Sequence, residues 1–308
     1  MRLSIVSTLY NSSNSISEFY KRVSAVAHQF AGEEYEIILV NDGSPDDSFD
    51  KAIHFTKQDE NLVLVDLSRN FGHHKAILTG LKYAKGDFVF LLDSDLEEEP
   101  EWLFAFYPLM KEKKCDVVFG VQKKRKGGWF ECWSGWVFYR TFKLITGVKI
   151  PENWVTARLM THRYVSALLQ HQERELSIGG LYLLTGFDQY PKSIVKNSLS
   201  VSTYTLGKKI AVFVDAVTSL SSRPLIGVFY TGAFIFTFSL LYTFYILTNW
   251  MFLAVPPSGW TSLIVSVWLL SGLTISFLGI IGIYLSKIFL EAKHRPLSLV
   301  REIHKGQK

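Results

Sequence analysis

Residues 86–95 read GDFVFLLDSD, and this stretch decides how the rest of the chain is interpreted. The apolar run at 88–92 is typical of a buried β-strand, and Asp93 and Asp95 follow it without a spacer. Acids at the carboxyl end of a strand in an α/β sheet lie where such sheets bind ligands. Two carboxylates so close together repel each other, which indicates a divalent cation carrying substrate phosphates. An Asp-rich turn before a helix that begins near 97–100 is the alternative that needs no ligand.

Four further apolar segments predict strands of the same sheet, at residues 3–8, 35–40, 62–65 and 116–120. Helical patterns separate the strands, near residues 15–29, 48–56, 74–83 and 100–113. Apolar strands that alternate with helices predict parallel strands joined by right-handed crossovers, and hence a doubly wound, mostly parallel α/β sheet over roughly residues 1–120. Neither common glycine-rich phosphate loop is present, so a bound nucleotide would depend on side chains at the strand ends.

Polar side chains also follow two other predicted strands at the same sheet edge. Asp42 follows the second strand and can accept a hydrogen bond from the N–H of a nucleobase, or it can form a simple Asx-turn. Arg69 follows the third strand, where a guanidinium can hold a diphosphate bidentately or can pair with Asp66. The adjacent His73 and His74 cannot readily face one metal ion from a helix start, which favours a loop or capping role.

A long apolar region lies near the C-terminus and raises the mean hydropathy of the 308-residue chain to +0.15. No Asp, Glu, Lys, Arg or His occurs between residues 224 and 286, which is long enough for two membrane-spanning helices. A turn signal at 254–259, flanked by tryptophans, predicts a transmembrane hairpin with spans at about 225–249 and 261–285. A buried helix pair in a soluble protein is the alternative.

The basic residues indicate how such a hairpin would be oriented. They flank it on both sides and are absent from its loop, so both of its ends are predicted to be cytoplasmic. Basic and aromatic residues in 123–142 and the apolar residues of 208–222 predict interfacial amphipathic helices, although 123–126 could also be a solvated charge run. The net charge of +5 is modest, so the expected partner is anionic lipid at a membrane and not nucleic acid. Two cysteines suggest no disulfide framework, which fits a reducing compartment.

Four features in a fixed order carry a family resemblance: NDGS at 41–44, SRNFG at 68–72, DSDL at 93–96 and the C-terminal hairpin. Together they resemble the family 2 glycosyltransferases of GT-A fold, and more narrowly the polyprenyl-phosphate glycosyltransferases related to dolichyl-phosphate mannose synthase and bactoprenol glucosyltransferase. The resemblance covers nearly the whole chain. It implies a cytoplasmic GT-A domain at 1–205, an interfacial amphipathic helix at 206–223, two transmembrane helices within 224–288 and a basic cytoplasmic tail at 289–308.

The resemblance also implies roles for individual residues. The residues expected to bind the nucleotide-sugar are Thr8, Asp42, Arg69, Asp93 and Ser94. Asp95, together with Asp93, is expected to ligate Mg²⁺ or Mn²⁺ on the donor diphosphate. The residues expected at the reaction centre are Asp95, Arg158 and Thr156, and those expected at the acceptor phosphate are Arg158, Lys196 and Lys208.

Two positions depart from the family pattern. Thr156 stands where the family usually has an Asp that is discussed as a catalytic base, and Thr203 stands where the family has a phosphate-holding Lys. A lipid phosphate is already anionic at neutral pH and needs no base to become a nucleophile. It needs positioning and relief from repulsion by the donor phosphates, which Arg158 could supply.

The sequence therefore predicts an inverting glycosyltransferase that moves one sugar from a nucleotide donor, most simply a UDP-sugar, to undecaprenyl or another polyprenyl phosphate for cell-envelope glycan modification. The expected location is the bacterial inner membrane, as a multi-pass protein with its catalytic domain on the cytoplasmic face, and the resemblance implies a homotetramer. A processive polysaccharide synthase is one alternative, although its Q-x-x-R-W motif is absent. A non-catalytic nucleotide-binding membrane scaffold, which Thr156 and Thr203 would fit, and a transferase acting on another lipid are further alternatives. No residue indicates which sugar is moved.

Overall fold

A computed structural model describes most of the chain: residues 2–122, 140–147, 151, 153–171, 173, 178–196, 206–253 and 259–306. The chain forms two compact units. The first comprises Met1–Tyr139, Lys149–Thr205 and Arg295–Lys308, and the second comprises Arg140–Val148 and Leu206–His294. The sheet and its strand-end residues belong to the first unit, and the long apolar helices belong to the second.

An eight-stranded sheet forms the first unit. Its strands are β1 (Leu3–Leu9), β2 (Tyr35–Asn41), β3 (Leu62–Leu67), β4 (Phe88–Leu91), β5 (Val117–Gln122), β6 (Trp154–Thr161), β7 (Gln189–Ile194) and β8 (Val300–Lys305). Its helices are α1 (Ile16–Ala31), α2 (Ser48–Thr56), α3 (His73–Tyr83), α4 (Leu103–Lys113), α5 (His162–Leu168) and α6 (Ile178–Leu184). Across the sheet the strands follow the order β7-β5-β6-β4-β1-β2-β3-β8.

Most strands of the sheet run in one direction. β1 pairs in parallel with β2 and β4, β2 with β3, and β5 with β7, whereas β6 is antiparallel to β4 and β5 and β8 is antiparallel to β3. The prediction of a mostly parallel α/β sheet is therefore confirmed. Its extent was wrong, because β6, β7 and β8 lie beyond residue 120 and β6 separates β5 from β4.

The burial of each strand explains whether its sequence pattern predicted it. Every residue of β1 and β2 is buried, so these strands are covered on both faces and their sequences are mostly apolar. Neighbouring residues face opposite sides: Ile5 packs in the layer of α1 and α4, and Val6 packs in the layer of α3. β8 is an edge strand with mostly exposed side chains, so its sequence lacks that apolar signal.

Part of the C-terminal segment, predicted as a basic cytoplasmic tail at 289–308, is a strand of the sheet. Residues Val300–Lys305 form β8 and extend the sheet by pairing with β3. Leu297 and Val300 pack against the core layer that contains α3, and the Ser298 and Thr79 side-chain oxygens lie 2.5 Å apart. The end of the chain is therefore a structural part of the first unit.

The second unit consists of helices: residues 140–146, α7 (Leu206–Leu220), α8 (Arg223–Leu253) and α9 (Trp260–Ala292). Within it, Lys287 Nζ donates to Asp215 Oδ1 at 2.7 Å, which ties α9 to α7. Within the described part of the chain, one helical stretch, Ser266–Ala292, has the length and the mean hydropathy, 1.9, needed to cross a membrane. The structure thus supports one apolar C-terminal helix and does not show the predicted two-helix transmembrane hairpin. The predicted interfacial segment at 123–142 lies outside the described residues except for its last three.

Candidate active site

The loop after β4 presents the two acids that the sequence singled out. The backbone N–H of Asp93 donates to Glu98 Oε2 at 3.2 Å, and the N–H of Glu97 donates to Asp95 Oδ1 at 2.9 Å. These two bonds fold the loop back on itself at the carboxyl edge of the sheet. Ser94 is buried, and its hydroxyl donates to the carbonyl oxygen of Thr8 at 2.8 Å. Ser94 therefore fixes the loop to β1.

One oxygen of Asp93 is buried and has no hydrogen-bond partner among the residues that the structure describes. Asp93 Oδ1 lies 3.4 Å from His73 Nε2, which is an ion-pair distance but not a hydrogen bond. The other ring nitrogen of His73 lies 3.0 Å from Thr8 Oγ1. His73 therefore lies between Thr8 and Asp93 at the site, which goes beyond the loop or capping role predicted for it. An orphan carboxylate oxygen beside a ring nitrogen is suited to a cation or a polar ligand.

Burial sets the proton affinity of the acids in this loop. It raises the pKa of Asp95 above the ordinary value of an aspartate, and the nearby Asp93 carboxylate adds to the effect. It also raises the pKa of Glu98, which is 0% exposed, to about 8, with Asp93 again contributing. A cation bound near these carboxylates would offset the repulsion between them.

Glu98 is a member of the site that the sequence did not identify. Its Oε1 accepts the backbone N–H of Thr156 at 2.9 Å, while its Oε2 accepts that of Asp93. A buried carboxyl group thus lies beside Thr156, the position where the family pattern has an acid. In sequence, Glu98 lies inside a run of three glutamates before Pro100, which is typical of a helix start, so only the fold distinguishes it.

Arg158 lies on β6 opposite Leu91 of β4 and is 2% exposed. Its Nε donates to the carbonyl oxygen of Thr156 at 3.2 Å, and its guanidinium carbon stacks 3.4 Å from the ring centroid of Tyr182. Its Nη1 is buried and has no partner among the described residues. The stack and the carbonyl bond hold the guanidinium in place and leave one nitrogen available for an anionic group.

Tyr182 is a second residue that sequence reasoning missed. Burial raises its pKa to about 12, and the charges of Arg158, Asp93 and Glu98 also act on it. Its hydroxyl and that of Tyr164 are buried and have no hydrogen-bond partner among the described residues. These hydroxyls, Asp93 Oδ1 and Arg158 Nη1 are four orphan polar atoms. Tyr182 comes from α6, in a segment with no recognisable motif, so no signal in the sequence pointed to it.

Lys196, one of the two lysines expected at the acceptor phosphate, lies near the acids. Its Nζ lies 2.9 Å from Glu97 Oε2. Burial alone would lower the pKa of Lys196, but Glu97 and Glu98 outweigh that effect and raise it. Lys196 is therefore a cation held at this loop. Lys208 belongs to the second unit and its side chain lies outside the described residues, as does Thr203.

Asp42 supports the loop that follows β3. It is 2% exposed, and its carboxylate accepts the backbone N–H groups of Phe71 at 2.7 Å and Gly72 at 3.0 Å. Burial raises its pKa, and these two bonds oppose that effect. Gly43 has φ +61°, and a Cβ there would lie 2.5 Å from Asn70 N, so only glycine allows the two loops to approach so closely. Nucleobase recognition by Asp42 stays a prediction.

Arg69 lies in this loop with its guanidinium stacked 4.2 Å from the ring centroid of Phe71. Its Nη1 donates to the carbonyl oxygen of Asn70. The alternative pairing with Asp66 is wrong, because Asp66 instead accepts from Asn41 Nδ2 at 2.7 Å and lies 3.2 Å from Arg301 Nη1. Arg69 therefore remains available for a ligand at the sheet edge.

The donor set fits a divalent cation only in combination with a ligand. Among the described residues, no group of three or more His, Cys, Asp and Glu side chains is arranged to hold a metal ion. Mg²⁺ typically takes one or two protein carboxylates, and substrate phosphates and water supply the remaining oxygens. Asp93, with its orphan oxygen, and the nearby Asp95 match that requirement.

Comparisons with known proteins identify the family of the chain. The sequence matches the family model "Glycosyl transferase family 2" over residues 4–169. A protein of Mycobacterium tuberculosis (strain CDC 1551 / Oshkosh) that is named as a glycosyltransferase is 46% identical, over 99% of this chain and 89% of its own length. Glycosyltransferase YkcC of Bacillus subtilis (strain 168) is 34% identical, over 98% of this chain and 94% of its own.

A more distant relative has a more specific name. The SfII prophage-derived bactoprenol glucosyl transferase of Shigella flexneri is 27% identical, and the match covers 99% of both chains. Among solved structures, S. aureus TarS 1-349 in complex with UDP-GlcNAc is 19% identical, with a TM-score of 0.47 over 71% of this chain and 66% of that chain.

Proposed function

The chain belongs to glycosyltransferase family 2, and on that premise we propose that it is an inverting enzyme that moves one sugar from a UDP-sugar to a polyprenyl phosphate. The observation that carries the proposal is the β4 loop. It holds Asp93 3.4 Å from His73 and brings Asp95 near Lys196, and among the described residues Asp93 Oδ1 and Arg158 Nη1 are buried without hydrogen-bond partners. Such atoms cost free energy unless a ligand satisfies them.

The donor would lie along the carboxyl edge of the sheet. Asp42 and Gly43 hold the Arg69 loop, and Arg69 would contact the diphosphate. Asp93 and Asp95 would hold Mg²⁺ or Mn²⁺, which supplies positive charge to the leaving diphosphate when it is bound. We assign Thr8 and Ser94 to the donor side as groups that position His73 and the acid loop.

The reaction would be a single displacement. An oxygen of the lipid phosphate forms a bond to the anomeric carbon, the bond from that carbon to the diphosphate oxygen breaks, and UDP leaves with the electron pair. Arg158 Nη1 would bind an oxygen of the attacking phosphate and offset its repulsion by the donor. The phosphate arrives as an anion, so Thr156 does not need to be a base. Glu98 would orient Asp93 and Thr156 through their backbone amides.

The acceptor part of the proposal has separate support. The Shigella relative is named for bactoprenol, and this chain matches it from end to end. The apolar stretch Ser266–Ala292 could anchor the enzyme where such a lipid resides. We propose that α8 and α9 form a transmembrane hairpin in the bacterial inner membrane with the sheet unit on the cytoplasmic face, because residues 224–286 contain no charged residue and basic residues flank them. The proposed acceptor is undecaprenyl phosphate, and a homotetramer remains part of the proposal.

The experiment is a donor screen. Membranes that contain the protein are incubated with Mg²⁺, polyprenyl phosphate and a series of labelled UDP-sugars, and label in the organic phase is measured. We expect one donor to give product, Asp95→Asn to abolish it, and Asp50→Asn to leave it unchanged. Asp50 is an exposed residue of α2 and provides the same change of charge away from the site. Full activity of Asp95→Asn, or no lipid product with any donor, contradicts the proposal.

The same assay separates the alternatives. A long polymer in place of one sugar per lipid would identify a processive synthase. Stabilisation by UDP without any product would identify a nucleotide-binding scaffold. Competition with diacylglycerol or ceramide would reveal a different lipid acceptor.

A further inference from the structure

The C-terminal strand β8 holds the start of the Arg69 loop, although the two segments are more than 200 residues apart in sequence. Arg301 Nη2 donates to the carbonyl oxygen of Ser68 at 2.7 Å, and its Nη1 lies 3.2 Å from Asp66 Oδ2. The backbone N–H of Ser68 in turn donates to the carbonyl oxygen of Leu299 at 2.9 Å. Both the main chain and a side chain of this segment therefore contact the loop.

The contact between Arg301 and Asp66 involves a buried acid, because the Asp66 side chain is only 3% exposed. Its Oδ1 accepts from Asn41 Nδ2, and among the described residues Arg301 is the cation paired with its Oδ2. Asn41 Oδ1 accepts the backbone N–H of Ser44 at 3.1 Å. A continuous chain of polar contacts thus runs from β8 through Asp66 to the loop after β2. Loss of Arg301 would leave this buried carboxylate without its paired cation and would weaken the chain of contacts locally.

The remainder of the Arg69 loop is held from the opposite side. Asp42 accepts the amides of Phe71 and Gly72, and Gly43 lies against the backbone of Arg69 and Asn70. The β3–β8 ladder shifts register between Asp66 and Leu67, at the point where the strand becomes the loop. The two ends of the loop therefore have different supports, and β8 supplies the support at the N-terminal end.

We infer that Arg301 is a positioning residue for donor binding: it holds Ser68 so that Arg69 presents its guanidinium to the donor diphosphate. The inference rests on the proposed donor site and adds to it a segment that follows α9 in the chain. Arg301 is 61% exposed and contacts Asp66 and the carbonyl oxygen of Ser68, so we expect it to act through the loop.

The test compares three variants of the full-length protein in detergent by calorimetric titration with UDP and Mg²⁺. We expect Arg301→Ala to bind UDP about tenfold more weakly and to show the same rise in KM for the UDP-sugar, with kcat at saturating donor within twofold of the wild type. The UDP affinity of Arg301→Lys should lie between that of the wild type and that of Arg301→Ala, because an ammonium group cannot engage Asp66 and Ser68 in the same fork geometry. Lys305→Ala, on the same strand with an exposed side chain, is the matched control and should bind like the wild type.

Amide hydrogen exchange gives a second readout that needs no nucleotide. In Arg301→Ala, the peptide spanning residues 66–76 should exchange faster, whereas the peptide of α1 should keep its wild-type protection. Wild-type affinity for UDP in Arg301→Ala, or unchanged exchange in residues 66–76, overturns the inference. A wild-type protein that fails to bind UDP contradicts the proposed donor, and the exchange measurement still decides the role of Arg301. If Arg301→Ala does not fold, Arg301→Lys is measured in both assays.

Discussion

The candidate site has two halves that satisfy their polar groups differently. The β2–β3 half, residues 41–46 and 66–72, pairs the carboxylates of Asp42, Asp46 and Asp66 with backbone amides, hydroxyls and Arg301. The β4–β6 half comprises residues 93–98, residues 154–158, Tyr164 and Tyr182. It leaves four buried polar atoms without a partner among the described residues.

The difference between the two halves distinguishes residues that support the site from residues that would take part in the reaction. Each unpartnered buried polar atom costs about 1–3 kcal/mol, so its retention indicates a group that a ligand satisfies. The β2–β3 half is complete within the protein and presents Arg69 on a rigid loop. The β4–β6 half is completed only when donor, acceptor and cation bind, which is where the transfer would occur. Substitutions should therefore reduce stability in the first half and turnover in the second.

The largest expected effect is on turnover, in Arg158→Met. We expect kcat to fall by about 10²–10³-fold, because the variant loses a preorganised donor to the reacting phosphate. Met retains much of the volume over the Tyr182 ring, and among the described residues Nη1 has no partner to lose, but the bond from Nε to the Thr156 carbonyl is lost. The free energy of unfolding should consequently fall by about 1–2 kcal/mol, a smaller effect than the loss of turnover. Single-turnover transfer and urea unfolding measure the two quantities.

Tyr182→Phe is the matched control for that variant. It removes an unpartnered hydroxyl and keeps the ring beneath Arg158. Stability should be unchanged or slightly higher. If Arg158→Met unfolds as readily as it loses activity, the distinction between the two halves fails.

Asp42→Asn should have its main effect on stability. The amide retains one acceptor oxygen but places an NH₂ group against the N–H of Phe71 or Gly72. We expect a loss of about 2 kcal/mol in the free energy of unfolding, because a buried donor loses its acceptor. Urea unfolding of the detergent-solubilised protein measures it, and kcat at saturating donor should be nearly unchanged. A large loss of kcat with normal stability would instead indicate direct contact of Asp42 with the donor.

The smallest expected effect is a pH dependence at Asp46. Hydrogen bonds from Ser44, Ser48 and the backbone of Ser13 outweigh burial and lower the pKa of its carboxyl below the usual aspartate value. A carboxyl whose folded pKa lies below its unfolded value of about 3.9 stabilises the fold above that pH, and the contribution disappears as the pH falls through the folded pKa. Asp46→Asn should therefore cost about 1 kcal/mol at pH 7. The difference in unfolding free energy between Asp46→Asn and the wild type should shrink below pH 4. Equilibrium unfolding at pH 7 and at a pH below 4 measures it. A difference that is independent of pH would show that charge is not the cause.

The local sequence was sufficient to predict some strands and site residues and not others. The buried strands β1–β5 were visible because burial on both faces favours mostly apolar residues. β8 was not, since an edge strand needs few apolar side chains and Val300–Lys305 resembles a basic tail. Glu98 and Tyr182 were missed for a related reason. Their roles depend on Asp93, Thr156 and Arg158, which are distant in sequence or belong to other elements.

The sequence by itself determined where the apolar strands β1–β5 lie along the chain and that Asp42, Arg69 and Asp93 follow the carboxyl ends of three of them. Parallel strands place those ends at one edge of a sheet whatever the details of packing. Only the tertiary structure decided which of these polar groups already have hydrogen-bond partners within the protein. Hydrogen-bond pairing depends on contacts between distant segments, and it is these contacts that saturate Asp42 and leave Asp93 and Arg158 open for a ligand.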